Sequence, residues 1–252
     1  MHFKSISAVA AAVLISSVGA ANAAAFLNSS LSDPPGVYFG AGNSNSNFTV
    51  DRTGNTETGI SAIQRYVGPI VPVGSTYFVS TNATAEPGKF GSDWGITFSV
   101  NINVDGTDTK HHLSDTRAIL GLQDIRTGTS TNSFNLLTIP DNTEFGAGGK
   151  CIGTFAVPCD SSANYAFQNS ETLSFPLVAL ALGDPGFDFT KDDTYIFTLS
   201  LYNNISNILI STNQITVIAG RGAPVPEPIT LSLFGAGVAG AFAMRRRKAR
   251  KA

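Results

Sequence analysis

The residues best suited to chemistry are four aspartates in one short stretch. Asp184, Asp188, Asp192 and Asp193 form the densest acidic cluster of the chain. Calcium takes six to eight oxygen ligands, and Asp-rich loops that contain glycine can supply them. The spacing departs from the EF-hand pattern, so a solvated turn between two strands is the favoured interpretation. We keep the four aspartates as calcium candidates, and we predict no firm metal site and no cofactor.

Histidine chemistry is limited, because His111 and His112 are the only histidines outside the extreme N-terminus. Adjacent residues on a strand point to opposite faces, so the pair cannot easily chelate one metal ion. We expect both to be exposed or half-exposed strand residues. The sequence contains no H-E-x-x-H, G-x-S-x-G or phosphate-loop motif. We therefore predict no catalytic residues and expect that the protein is not an enzyme.

The chain has two cysteines, Cys151 and Cys159, with Gly153 and Pro158 between them. A metal site built on this pair would need two further ligands, and none is close in sequence. In an exported chain, two cysteines at this spacing favour a disulfide that closes a short loop. We predict that bond.

The elements that must position these residues are short β-strands. Ile96 to Val104 gives the clearest pattern, because five apolar residues alternate with four polar ones. This alternation is typical of a strand with one buried face. Asp105-Gly106 follows as a turn signal, and we expect the chain to return through Lys110 to Leu122. Thr194 to Tyr202 repeats the alternation.

Other β-favouring or apolar runs lie between Gly, Asn, Asp and Pro residues. They are Val37–Phe39, Phe48–Val50, Ile60–Val67, Tyr77–Ser80, Phe134–Ile139, Glu171–Leu182, Ile208–Ile210 and Ile215–Ile218. Many short strands separated by such turns predict an all-β fold, namely an antiparallel β-sandwich. Jelly-roll and immunoglobulin-like topologies both remain open. We assign residues 24–220 to this domain and residues 221–224 to a linker.

The N-terminus has the three parts of a secretory signal peptide. Lys4 supplies the positive charge, Ile6 to Val18 the apolar core, and Ala21-Asn22-Ala23 the small residues before cleavage. We predict that residues 1–23 form a cleaved signal peptide, with cleavage after Ala25 as the alternative.

The C-terminal residues 225–252 also have three parts. Pro226-Glu227-Pro228 comes first, and its prolines favour an extended, helix-free segment. Ile229 to Met244 follows without a charge and would rise about 24 Å as a helix. That length is slightly short for a membrane span, but the bilayer can thin around it. We predict a single transmembrane helix. Its cytoplasmic stop would be Arg245, Arg246, Arg247 and Lys248.

In this order, the motif, the Gly/Ala-rich apolar run and the Arg-rich end resemble the PEP-CTERM sorting signal of Gram-negative bacteria. The resemblance implies that Pro226, Glu227 and Pro228 form the sorting motif. It also implies transient inner-membrane insertion and cleavage near the motif by a protease-transpeptidase of the exosortase type. An ordinary C-terminal membrane anchor is the alternative. Asp93–Asn101 and Tyr195–Tyr202 also resemble strands of extracellular β-sandwich domains that often precede such tails.

The formal net charge of −2 hides a more acidic middle. Without both predicted end segments, 9 basic and 17 acidic residues remain, which gives about −8 at neutral pH. Such a charge argues against nucleic acid and anionic lipid surfaces as partners. It suits a protein exported to the cell surface or the extracellular matrix.

The resulting expectation is a structural or adhesive protein of an exopolysaccharide-rich biofilm or floc, where the link to exopolysaccharide comes from the family resemblance. The first alternative is a surface module that binds carbohydrate or calcium. The second is a secreted hydrolase.

Overall fold

A computed structural model describes residues 26–29, 31, 45–65, 67–81, 94–172, 187–188 and 190–222. Thirteen strands form within these ranges. They are β1 (Phe26–Ser29), β2 (Phe48–Thr53), β3 (Thr56–Gln64), β4 (Gly68–Pro69), β5 (Thr76–Val79), β6 (Trp94–Asn101), β7 (Thr116–Asp124), β8 (Ser130–Asn135), β9 (Thr143–Gly146), β10 (Gly149–Ile152), β11 (Asn164–Thr172), β12 (Asp193–Asn203) and β13 (Leu209–Ala219). Two 3₁₀ turns, Leu113–Asp115 and Leu136–Thr138, are the helical elements of the described part. The all-β prediction is confirmed.

The strands form two sheets that share one core. The larger sheet has the order β1-β2-β3-β6-β11-β9-β10, with β4 also paired to β3, and the smaller sheet has the order β5-β13-β12-β7-β8. Strands β2 and β3 of the larger sheet contact β13 of the smaller one. This two-sheet arrangement agrees with a β-sandwich.

The antiparallel prediction holds for every strand pair except one. Strand β5 runs parallel to β13, with Thr76 beside Thr216 and Val79 beside Ala219. The preceding strand β4 belongs to the larger sheet. The chain therefore reaches β5 by crossing between sheets, and this crossover allows a parallel direction that a tight hairpin does not.

The alternation predicted in β12 is confirmed. Tyr195, Phe197, Leu199 and Leu201 are fully buried, whereas Thr194 and Thr198 are only half-buried. The inward side chains join Trp94, Phe98 and Phe167 in the main hydrophobic cluster. Burial of such large side chains is the main favourable term for a two-sheet fold.

Strand β6 departs from its prediction of one buried face, because both of its faces are buried. Its polar residues Thr97, Ser99 and Asn101 are all less than 5% exposed. The strand lies between β3 and β11, and its hydroxyl groups find partners there. Thr97 bonds to Ser61, and Ser99 Oγ accepts a 3.0 Å hydrogen bond from Gln168 Nε2. These bonds allow polar groups to be buried without a large penalty.

Several strand positions also differ from the prediction. The segment Lys110–Leu122 does not return beside β6, because β7 belongs to the smaller sheet. The predicted strand Phe134–Ile139 ends at Asn135, whose side chain accepts a hydrogen bond from Leu137 N and caps a 3₁₀ turn. Two short predicted strands at 208–210 and 215–218 are parts of the continuous strand β13. Val37–Phe39 lies outside the described residues.

A buried polar seam joins the two sheets beside the hydrophobic cluster. Ser211 Oγ on β13 donates to Asp51 Oδ2 on β2 at 2.5 Å and lies 2.8 Å from Thr58 Oγ1 on β3. Asn213 Nδ2 donates to Thr49 O at 2.5 Å. All five side chains are buried. Because such bonds are directional, the seam restricts how one sheet can slide over the other.

Candidate functional site

The predicted sorting motif (Pro226, Glu227, Pro228) and the predicted stop (Arg245, Arg246, Arg247, Lys248) lie outside the described residues. The structure does define the point from which this tail leaves the domain. Strand β13 ends at Ala219, and a turn closes with Gly222 N donating to Ala219 O at 3.0 Å. Arg221 Nε donates to Asp192 Oδ2 at 2.6 Å. This bond lowers the pKa of Asp192 and ties the first residues after β13 to the domain.

Three of the four calcium candidates are described, and each has different partners. Asp188 Oδ1 accepts hydrogen bonds from Thr190 N and Thr190 Oγ1, and its Oδ2 lies 4.0 Å from Lys191 Nζ. The bond from the Thr190 hydroxyl group is the main reason that the pKa of Asp188 is lowered. Asp188 therefore caps its own turn, while Asp192 pairs with Arg221.

Asp193 belongs to a buried ion cluster. Its Oδ2 accepts a 2.8 Å hydrogen bond from Arg126 Nε, and Arg126 NH2 lies 3.8 Å from Asp124 Oδ2. Asp193 and Asp124 are fully buried, whereas Arg126 is partly exposed. Burial, with the nearby charges of both carboxylates, raises the pKa of Tyr195. One guanidinium group thus serves two buried carboxylates.

The three described calcium candidates therefore each contact a different set of side chains. In the described part of the chain, no group of three or more His, Cys, Asp or Glu side chains could hold a metal ion. Asp184 lies outside those residues, so calcium binding remains a prediction.

The predicted disulfide is confirmed between Cys151 and Cys159, whose Cα atoms are 6.0 Å apart. Gly153 N inside the loop donates to Asn142 O at 2.9 Å. Three apolar side chains of the loop are exposed, namely Ile152, Phe155 and Val157, at 66–71%. The cysteine spacing predicted the bond, but it gave no sign that the loop presents apolar groups to solvent.

The histidines do not lie on a strand, so that part of the expectation is wrong, but His111 is exposed and His112 half-exposed, as expected. His111 and His112 precede the 3₁₀ turn Leu113–Asp115. His111 Nδ1 lies 2.6 Å from Asp108 Oδ2, and His112 N donates to Asp115 Oδ2 at 2.9 Å. Asp-rich turn chemistry breaks the strand pattern here because these carboxylates satisfy the loop's own backbone groups.

Sequence reasoning missed a second pair of carboxyl groups. Asn169 Nδ2 donates to Asp141 Oδ1 at 3.2 Å and to Glu171 Oε1 at 3.4 Å. Burial, and secondly the charge of Asp141, raise the pKa of Glu171 to about 7. Asn169 and Glu171 are two positions apart on β11, so they share one face. The two-residue spacing of Asn169 and Glu171 is visible in the sequence. It places both side chains on one face only if both residues belong to the same strand, and the sequence alone did not establish that.

Helices that could cross a bilayer are absent from the described residues. The predicted span Ile229–Met244 lies outside them, as does the predicted signal peptide at residues 1–23.

The last strand of the two-sheet domain ends at Ala219, so only a few residues separate the domain from the C-terminal segment. The profile of the PEP-CTERM protein-sorting motif matches residues 224–248, so the chain carries this motif. The motif assigns the protein to export and to processing by an exosortase-type partner. No curated protein matches the chain.

Proposed function

We propose that the mature domain is a non-catalytic structural or adhesive component of the cell surface or of an exopolysaccharide-rich extracellular matrix. The observation that carries this proposal is the position of the sorting motif. Residues 224–248 match the motif, and the last strand ends at Ala219. The whole described domain therefore precedes the sorting motif in the chain, which supports its export as one unit.

The chemistry of the domain supports a role outside the cell. A disulfide such as Cys151–Cys159 persists in oxidising compartments. The acidic groups near the tail are held by Arg126, Lys191 and Arg221, and structural ion pairs of this kind need no substrate to explain them.

The intact mass of the protein in separate membrane, matrix and medium fractions tests the proposal. We expect a species that begins at Ala24 and ends near Pro226 in the matrix or the medium. Added mass on that species would indicate a glycan or a transferred anchor group. A membrane-bound protein that retains Arg245–Lys251 would contradict sorting and indicate a permanent anchor.

A pair of matched variants separates recognition of the motif from a general effect of the tail. Glu227→Ala changes the centre of the Pro-Glu-Pro motif, whereas Ala223→Ser changes a linker residue just outside the matched residues 224–248. We expect the first variant to accumulate as an unprocessed precursor and the second to be processed normally. Equal processing of both would contradict recognition through this motif.

A further inference from the structure

The outward face of the smaller sheet contains a cavity at its centre. The cavity has a volume of about 170 Å³ and is lined by Gly121, Leu122, Gln123, Ser130, Thr131, Ile196, Thr198 and Gln214. These residues come from four adjacent strands, β8, β7, β12 and β13. The cavity is therefore formed by the rigid sheet and does not depend on loop conformation.

Gly121 lines the cavity and lies at a register irregularity between Leu120 and Gly121 in the β7–β8 pairing. It pairs with Thr198 on one side and with Asn132 on the other, so it occupies an inner strand of the sheet. Glycine weakens a strand interior, and there it often marks a place where a ligand approaches closely. Thr198 in turn pairs with Gln214. The missing side chain thus leaves a gap bordered by a hydroxyl group and an amide group.

The lining is uncharged and combines amide and hydroxyl groups with the apolar residues Leu122 and Ile196. Gln214 Nε2 donates to Thr198 Oγ1 at 3.1 Å, which fixes the orientation of an exposed amide. Thr131 Oγ1 is buried from solvent and has no hydrogen-bond partner within the described residues. Arg117 on β7 stacks over the ring of Tyr202 on β12, 5.2 Å from its centroid. Tyr202 lies four residues along β12 from Thr198, which lines the cavity, and this spacing corresponds to about 13 Å.

We propose that this cavity and the polar face around it bind a neutral polysaccharide, with Gln123, Thr198 and Gln214 hydrogen-bonding to sugar hydroxyl groups. Amides and hydroxyl groups both donate and accept, as sugar hydroxyl groups do. The uncharged lining and the net charge of about −8 of the mature chain disfavour an anionic polymer. The lining extends across four adjacent strands, which suits an extended chain better than a compact ligand.

This inference rests on the proposed function, because it names the matrix component that the exported domain would contact. Gly121→Thr tests it by filling the gap with a side chain that strands favour. Gln214→Ala removes one amide from the rim. Gln64→Ala is the matched control, because it removes an amide of the same kind from β3 in the other sheet.

The measurement is affinity electrophoresis of protein purified from cells that express the full chain. The gels contain β-glucan, mannan, xylan or the producing cells' own matrix polysaccharide, and alginate serves as the anionic comparison. We expect retardation by at least one neutral polymer. That retardation should disappear in Gly121→Thr, weaken about tenfold in Gln214→Ala, a loss of one to two hydrogen bonds, and persist in Gln64→Ala.

Three results would overturn the inference. They are no retardation by any polymer in the set, retardation by alginate alone, and retardation that Gly121→Thr leaves unchanged. Thermal unfolding of each variant shows whether a lost interaction reflects a lost fold; if Gly121→Thr unfolds, Gln214→Ala alone decides. Export and sorting are tested separately by the intact mass, which these variants do not change.

Discussion

Glu171 links the stability of the domain to pH. Its folded-state pKa is raised from 4.5 to about 7, so the folded protein binds this proton more tightly than the unfolded chain does. The contribution of Glu171 to the free energy of unfolding is then greatest below pH 4.5 and falls as the pH rises through about 7. The shift corresponds to a loss of up to about 3 kcal/mol. We expect Glu171→Gln to remove this decline and to be more stable than wild type at pH 8.

Urea unfolding of both proteins at pH 5 and pH 8 measures the effect. Asp141→Asn is a useful second variant, because the charge of Asp141 is the smaller cause of the shift. It should reduce the pH dependence without abolishing it. A wild-type stability that does not change between these pH values would contradict the burial of an ionisable Glu171.

Arg126 and Arg221 have similar bonds to aspartates in very different surroundings. Arg126 pairs with the fully buried Asp193, whereas Arg221 is 93% exposed and pairs with Asp192 at the surface. Removing Arg126 leaves two buried carboxylates without their cation. We expect Arg126→Gln to destabilise the domain by about 2–4 kcal/mol, towards the lower end for buried pairs because Arg126 is partly exposed.

Arg221→Gln is the matched control for that prediction. Solvent screens its ion pair, so its unfolding midpoint should stay within the error of the wild-type value. Urea unfolding at pH 7 and low ionic strength compares the two variants. If both variants lowered the free energy of unfolding equally, the buried cluster would contribute no more to stability than a surface ion pair does.

At the scale of elements, the disulfide loop combines a covalent constraint with exposed apolar groups. The bond between Cys151 and Cys159 closes a short loop, and the loop-entropy model gives about 2–3 kcal/mol for a ring of this size. We expect the double variant Cys151→Ser/Cys159→Ser to be destabilised by that amount. Unfolding of wild type with and without dithiothreitol should give the same difference, and the double variant should not respond to the reductant.

Strand prediction succeeded where one face of a strand meets the core and the other meets solvent. Strand β12 satisfies that condition, since Phe197 is buried and Thr198 is half-buried. Strand β6 does not, because its hydroxyl side chains are buried against Ser61 and Gln168. Alternation in the sequence is the same in both cases, so it cannot distinguish a solvated polar face from a buried, hydrogen-bonded one.

The sequence did not predict which strands pair. The side-chain contacts that sequence analysis missed depend on that pairing. Asp124 and Asp193 meet because β7 pairs with β12, which places Asp124 beside Tyr195. Asp51 meets Ser211 only because β13 packs against β2. By contrast, the disulfide and the sorting tail are local in sequence, and both were predicted. Local chemistry can be inferred from spacing, whereas contacts between distant strands require the topology.

At the scale of the whole molecule, the end of β13 and the disulfide loop lie at opposite ends of the domain. Strand β12 begins at Asp193 beside Ala219, where the tail leaves. It ends at Asn203, and Asn204 N donates to Asp115 O. The same 3₁₀ turn contacts the segment after Cys159, because Ser114 N donates to Ser161 O. The eleven residues of β12 separate the two ends by about 35 Å. A domain held by its tail would therefore present the loop away from the membrane.

The distance between the domain and the sorting motif is limited by the chain itself. Gly222 is the last residue of the closing turn, and Pro226 is four residues further on. A fully extended chain covers at most about 14 Å over that interval. The processing enzyme must therefore reach the motif close to the folded surface that carries Asp192 and Arg221. We expect deletion of residues 223–224 to slow the conversion of precursor to mature protein, because the domain would obstruct access to the motif.

Insertion of six Gly/Ser residues after Gly222 should have the opposite effect, with conversion at least as fast as in wild type. The same insertion between Gly148 and Gly149, in the exposed turn of the β9–β10 hairpin, controls for a general effect of added residues. Pulse-labelling followed by gel separation of precursor and mature forms measures the rates. If the deletion and the insertion were processed equally fast, the short connection would have no role in processing. A slower deletion variant with a normal control would show that processing depends on both the folded domain and the sorting signal, at a spacing set by the three residues between Gly222 and Pro226.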